Sequence, residues 1–215
     1  KLFYAATPPR FYEVIFRNLA DSGLSIPCSD KQGWTRILVE KPFGNDLKTA
    51  QQLDELLGLL FQEEQIFRID HYLAKETIQN ILAFRFSNVL FEELWSSRTI
   101  DHIQITIAED LGLHGRAGFY EGTGAMRDMV QNHLLQLLCL VAMEPPARME
   151  ADSIREEKLK VLKSLKPLAG SDIDQNVVRA QYTAGAMHGE AVAGYQDDLE
   201  LDEPSNTETF VAIKA

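Results

Sequence analysis

Residues 2–23, LFYAATPPRFYEVIFRNLADSG, decide how this chain is read. LFYAAT is an apolar run of strand length that Pro8 and Pro9 stop. Pro9 then suits the first turn of a helix running to Gly23, which closes it. WTRILVE (residues 34–40) is a second buried-strand run. Strand, helix and strand at this separation make a parallel βαβ unit, half of a doubly wound domain. No G-x-G-x-x-G turn follows the first strand, and the glycines of EGTGAM (residues 121–126) are not preceded by one. A dinucleotide-phosphate turn would therefore lie upstream of Lys1.

Further along, Leu47, Ala50, Leu53, Leu56, Leu57 and Leu60 recur at a helical period behind Asp46, a candidate N-cap. IFRID (66–70) reads as a short strand and HYLAKETIQNILAFRFSN (71–88) as one helix. RTIDHIQITIAED (98–110) reads as a half-buried strand, because Ile103, Ile105 and Ile107 alternate with His102, Gln104 and Thr106. A glycine-rich loop (112–124) leads to a long apolar helix at 125–143, ended by Pro145-Pro146. Ser153 with Glu156 predicts a capping box for the next helix. NVVRAQYTA (176–184) and TETFVAIKA (207–215) read as strands separated by an acidic loop. The last strand shows no partner, and the chain opens without methionine, so the expectation is an excerpt cut at both ends.

Bulk properties narrow the function. A net charge of 21 − 32 = −11 disfavours attraction to nucleic acid or an anionic membrane. An anionic substrate would need a local lysine cluster. LLQLLCLVAM (134–143) is interrupted by Gln136 and is shorter than the roughly 17 residues a membrane span requires, so it reads as a core helix. Cys28 and Cys139 form no C-x-x-C and no disulfide framework, which suits a reducing cytoplasm.

Three stretches carry candidate chemistry. In RIDHYLAKE (68–76), a helix starting near His71 puts His71 and Lys75 on one face, and its N-terminal amides suit a phosphate. The alternative is structural, with Asp70 as N-cap, His71 and Tyr72 as packing residues and Lys75 paired to a carboxylate. In EKPFG (40–44), Pro42 can fix the direction of Lys41 at the carboxyl end of a parallel strand, where open α/β sheets place ligands. The alternative there is a solvated lysine in a turn. In RDMVQNHLLQLL (127–138), five residues are about 140° of an α-helix, so Asp128 and His133 do not face one another. His133 then finds a partner elsewhere, or is a hydrogen-bonded core histidine. The histidines at 71, 102, 114, 133 and 188 form no H-x-x-x-H or H-E-x-x-H pattern, and no metal is expected.

In this order and at these separations, EKPFG, RIDHYLAKE, IAEDLG and RDMVQNHLLQLLCLVAME closely resemble glucose-6-phosphate dehydrogenase of the bacterial type, over essentially the whole chain. The resemblance implies the C-terminal part of a Rossmann-like α/β domain over residues 1–70. It implies the N-terminal part of an α+β domain with a mainly antiparallel sheet, for substrate and dimerisation, over 71–215. It implies hydride transfer from C1 of glucose 6-phosphate to NADP, or NAD, giving 6-phosphogluconolactone in the first step of the pentose phosphate pathway. By residue, it implies that His133 is the general base and Asp70 its orienting carboxylate. His71, Tyr72 and Lys75 would face the sugar phosphate, and Glu109 and Asp128 the sugar hydroxyls. Lys41 would touch substrate and coenzyme, with Tyr12 and Pro42 also at the coenzyme. A base with an unperturbed pKa of about 6.5 suits the proton transfer. A cytoplasmic homodimer or homotetramer, with no nucleic-acid or membrane partner, is the implied setting. Ala74 stands where the family's pattern has glycine, which implies a helix-compatible backbone there. Two other readings stay open: a catalytically silent excerpt or interaction remnant, and a related dehydrogenase of unphosphorylated sugars.

Overall fold

A computed structural model describes residues 1–26, 33–110, 112–113, 117–198 and 204–215. Cys28 and His114 lie outside the described residues. The chain divides into two compact units, Lys1–His71 and Tyr72–Ala215.

The first unit runs β1 (Leu2–Ala5), a 3-10 turn (Pro9–Phe11), α1 (Tyr12–Asp21), β2 (Arg36–Glu40), α2 (Leu47–Leu60) and β3 (Ile66–Ile69). The strands are parallel in the order β1-β2-β3, so the strand-helix-strand reading holds. Central β2 alternates: Ile37 and Val39 point to one face and are wholly buried. Onto that face α1 sets Tyr12 and Phe16, one helical turn apart, while α2 contributes Leu57 and the residue after its last turn, Phe61. Phe61 meets the Phe16 ring edge-on at 6.1 Å. Asp46 caps α2 as expected. Its Oδ1 accepts the Thr49 amide at 2.8 Å and Thr49 Oγ1 accepts the Asp46 amide at 3.1 Å, a reciprocal pair whose loss costs about 1 kcal/mol.

The second unit holds α3 (Glu76–Phe86), α4 (Val89–Glu92), α5 (Ala117–Glu121), a π-helix (Met126–Leu134), α6 (Leu135–Ala142), α7 (Ala151–Ser164) and α8 (Ser171–Asn176). β4 (Val177–Ala180), β5 (Gly185–Met187), β6 (Glu190–Val192), α9 (Tyr195–Asp198) and β7 (Phe210–Ile213) follow. The apolar run at 134–143 is a core helix: Cys139, Leu140 and Met143 pack with Tyr72, Ile78 and Val161. Its last carbonyls, which have no donor one turn on, are met from α3 and beyond. Buried Arg85 donates to Leu140 O at 2.7 Å and Met143 O at 2.8 Å, and Trp95 Nε1 donates to Val141 O at 2.8 Å. Among the described residues no helix is long and apolar enough to cross a membrane.

Several expectations are corrected here. Residues 71–88 are not one helix: His71–Ala74 is a 3-10 turn, Lys75 is extended (φ −67, ψ 128), and α3 starts after it. The Lys75 amide closes the turn on Tyr72 O, while its carbonyl accepts the amides of Ile78 and Gln79, so it ends one element and caps the next. His71 and Lys75 therefore do not share a helical face. Residues 101–110 carry the expected alternation, with Ile105 and Ile107 half-buried, but no described strand pairs with them. Side-chain patterning alone supplies no ladder. Ser153 is no N-cap, because α7 starts at Ala151 after extended Glu150, which puts Ser153 and Glu156 inside the helix. The loop at 112–124 contains α5, and the acidic loop contains the β5–β6 hairpin. Its turn, His188-Gly189, has two positive φ values, 54 and 86, the left-handed pair a tight hairpin demands. The last strand does have a partner: β7 pairs antiparallel with β4, Val177 opposite Ile213.

Candidate active site

In the first unit the candidate residues gather at the carboxyl edge of the parallel sheet. Glu40 lies opposite Ile69 in the β2–β3 register, so Lys41 and Asp70 each leave the end of neighbouring parallel strands. Glu40 is held twice: the Tyr4 hydroxyl donates to its Oε1 at 2.5 Å, and the Tyr12 hydroxyl to its carbonyl at 2.9 Å. Tyr12, expected at the coenzyme, is thus buried under the strand end that carries Lys41. Burial and the Glu40 charge raise its pKa, so it stays a donor. Past the cis Lys41–Pro42 peptide the loop turns at Gly44, φ 108. A Cβ there would stand 2.4 Å from the Ala50 amide nitrogen, so only glycine lets this loop close on α2.

In the second unit four predicted residues form one layered cluster. The Tyr72 ring stacks on the His133 imidazole, centroids 4.0 Å apart and planes within 19°. Lys75 Nζ lies 3.6 Å from the same Tyr72 centroid, which requires the opposite face. The Tyr72 hydroxyl donates to Glu109 Oε1 at 3.0 Å, which ties the irregular segment 101–110 to the cluster. His133 is 1% exposed, whereas His71, Lys75 and Glu109 are open to solvent.

His133 and Asp128 both lie in the π-helix, where the Leu135 amide donates to Val130 O, five residues back. The wider i→i+5 turn brings residues five apart nearly above one another. The 140° separation expected from α-helical geometry therefore does not apply, and Asp128 and His133 lie on the same side of this helix.

A clasp that the sequence reading missed holds the start of that helix. Glu121, at the end of α5, accepts from Ser205 Oγ at 2.5 Å, Thr207 Oγ1 at 3.1 Å and the Tyr195 hydroxyl at 2.8 Å. The adjoining Glu208 accepts the Met126 amide on Oε1 at 2.9 Å and the Ala125 amide on its carbonyl at 3.0 Å. A carboxylate thus meets the helix N-terminus, where amides are unpaired and the dipole is positive. Gly124, φ 70, makes room: a Cβ would come within 2.7 Å of Glu208 Oε1. Burial pushes the Glu121 carboxyl up, but the three donors outweigh it and hold its pKa below 4.5. Burial, with Asp128 and Glu208 nearby, raises Tyr120 to about 12. The only sequence trace of this clasp is the paired glycines of EGTGAM, since Glu121 and the side chains that donate to it are 74 to 86 residues apart.

Comparison with known proteins gives two family matches that together run almost end to end. The NAD binding domain of glucose-6-phosphate dehydrogenase matches residues 1–80, and the C-terminal domain of the same family matches 82–215. Glucose-6-phosphate 1-dehydrogenase of Rhizobium meliloti (strain 1021) is 54% identical over 215 residues, all of this chain and 42% of that protein. The enzyme of the same name from Bacillus subtilis (strain 168) is 47% identical over 214 residues, all of this chain and 43% of that protein. Among solved structures, a glucose-6-phosphate dehydrogenase in complex with its substrate glucose 6-phosphate superposes with a TM-score of 0.85 at 38% identity. It covers 99% of this chain and 42% of its own. Glucose-6-phosphate 1-dehydrogenase from Mycobacterium avium gives 0.81 at 38% identity, covering 99% and 43%. The chain spans about two fifths of the length of the curated relatives it matches.

Proposed function

Because this chain belongs to the glucose-6-phosphate dehydrogenase family, we propose that it supplies the base and much of the sugar site of an oxidoreductase. That enzyme moves hydride from C1 of glucose 6-phosphate to NADP or NAD. The observation that carries the proposal is the layered cluster: a buried imidazole, an aromatic platform, a carboxylate and an ammonium, all from motifs of the family.

The chemistry sets the roles. An alcohol carbon that loses hydride must also lose its hydroxyl proton, and His133 is the group that takes it. Asp70 orients the imidazole and balances its charge once protonated. Lys75 attracts the sugar phosphate, supplying the local cation that a chain of net charge −11 needs, and His71 and Tyr72 face it as hydrogen-bond partners. Glu109 and Asp128 accept hydrogen bonds from the sugar hydroxyls and fix which carbon faces the base. The oxidised nicotinamide, when bound, accepts the hydride. Its fit to this chain is partial. Lys41 and Pro42 lie where a parallel sheet presents residues to a ligand, and Tyr12 holds their strand end. Past β1, however, come Pro8 and Pro9, which have no N–H to offer a pyrophosphate. In this proposal residues 1–70 are the C-terminal part of a Rossmann-like coenzyme domain and residues 71–215 belong to a substrate domain of a homo-oligomer.

The test is NADP-linked oxidation of glucose 6-phosphate by the full-length protein and its His133→Asn variant. Turnover should fall about 10²-fold or more, with KM little changed. Near-normal turnover by the variant refutes the base assignment, and equal rates on glucose and its 6-phosphate refute the phosphate site.

A further inference from the structure

Resting on the functional reading above, we propose that Glu208 is a positioning residue for Asp128: by gripping the first turn of the π-helix it sets where that carboxylate meets the sugar hydroxyls. In a helix closed by i→i+5 bonds the first amides have no partner within the helix, so the orientation of the opening turn is set by whatever accepts them. Here one residue accepts two in succession. Glu208 takes the Ala125 amide on its carbonyl at 3.0 Å and the Met126 amide on its Oε1 at 2.9 Å, and Asp128 follows two residues later. A single bond would let the turn swivel about the contact. Two acceptors from one residue fix two consecutive peptide planes, and with them the bearing of the side chains just beyond.

Glu208 is itself held from both sides. The next residue, Thr209, donates its amide to Ala180 O at 2.9 Å and accepts the Tyr182 amide on Oγ1 at 2.9 Å, where β7 meets β4. The Tyr120 hydroxyl donates to the Glu208 carbonyl at 3.3 Å, and the preceding Thr207 donates its hydroxyl to the Glu121 carbonyl at 2.9 Å. On the helix, Asn132 Nδ2 donates to Arg127 O at 2.8 Å, which fixes the peptide plane that leads into Asp128. His133, at the far end of the π-helix, is buried against the Tyr72 ring, so loosening the first turn should displace Asp128 and spare the base.

The grip can be removed while the base and the coenzyme contacts are left alone. In the full-length enzyme, Glu208→Ala should raise KM for glucose 6-phosphate about 10-fold, as for a hydrogen bond lost between a carboxylate and the sugar, with kcat within about 3-fold and KM for NADP unchanged. Glu208→Gln keeps an oxygen for the Met126 amide and should hold KM within about 2-fold of wild type. Glu208→Asp keeps the charge but falls one methylene short of the amide; it should share the KM rise, and it decides the matter if the alanine variant does not fold. A merely structural role would do the reverse, lowering apparent kcat as folded enzyme is lost and leaving KM alone. Hydrogen exchange gives a readout independent of turnover: in Glu208→Ala the amides of residues 126–131 should exchange faster, while those of 135–142 keep their wild-type protection. An unchanged KM in the Ala and Asp variants, a rise just as large in Glu208→Gln, or exchange that speeds equally along both stretches would overturn the inference. A wild type inactive on glucose 6-phosphate that still shows the local exchange pattern would instead overturn the functional reading and leave the grip in place.

Discussion

Replacing Glu121 by alanine should release a whole segment. The carboxylate accepts three hydroxyls, and hydrogen bonds to a charged group are worth about 1.5–3 kcal/mol each when fully credited. Full credit does not apply here. Ser205 and Thr207 are half-buried and can turn to water, and Thr207 Oγ1 keeps its bond to the Glu121 carbonyl at 2.9 Å. The Tyr195 side chain is wholly buried, so its hydroxyl pays the larger desolvation cost when its acceptor goes. The net is about 3 kcal/mol, a fall in Tm of about 6–12 °C for a protein of this size. Glu121→Gln keeps one acceptor oxygen and should cost about half. Denaturant unfolding of the full chain measures both. Amide exchange supplies the local check: freeing residues 205–208 should draw Glu208 from the π-helix, so the Ala125 and Met126 amides should exchange faster than those of α7. A Glu121→Ala variant within about 0.5 kcal/mol of wild type, with those two amides still protected, would refute the clasp.

Acid should undo the same contacts. The folded pKa of Glu121 lies below its unfolded value, so its contribution is complete above pH 4.5 and disappears as pH falls through the folded value. The stability gap between wild type and Glu121→Gln should be constant near neutrality and should close only below about pH 4. A gap that widens on acidification has the wrong sign. Gly44→Ala should be costly for a different reason: left-handed backbone strain of about 1–2 kcal/mol adds to a clash with the backbone of Ala50, which cannot rotate away. Lost or thermolabile expression is the expected result, and an unchanged melting curve would contradict the geometry at the start of α2.

What could be read from the residues depended on how local its cause was. β1, β2 and β3 follow from short apolar runs, and α2 from a cap and a period, all set within a few positions. The isoleucines at 103, 105 and 107 have the alternation of a strand but no described strand beside them, and pairing is a property of two segments. The break at Lys75 was hidden because nothing in HYLAKE forbids a helix; it is visible only in the extended backbone of Lys75, whose amide closes one element and whose carbonyl opens the next. Ser153 and Glu156 have the spacing of a cap, yet Ala151 and Asp152 are good first-turn residues and the helix starts with them. The site residues came from motif resemblance, and their layering required a fold that brings residues 72, 75, 109 and 133 together. Glu121 and Glu208 were passed over because acidic residues are common in this chain, and only coordinates show which of them has three donors or a helix terminus.

The π-helix has one more implication, concerning where its information is stored. An α-helix repeats its sides at a fixed pitch, so residues that seal a core and residues that meet a ligand have their azimuths locked together. One extra residue in a turn acts as a vernier, letting the leucines from 134 onward keep their inward bearing while Asp128 is rotated to the side of His133. The setting is written in the count of residues between the two, not in their identities. Exchanges at Met129, Val130 or Gln131 can leave it intact, whereas inserting one residue among them would turn the carboxylate away from the imidazole and leave the packing behind it unaltered.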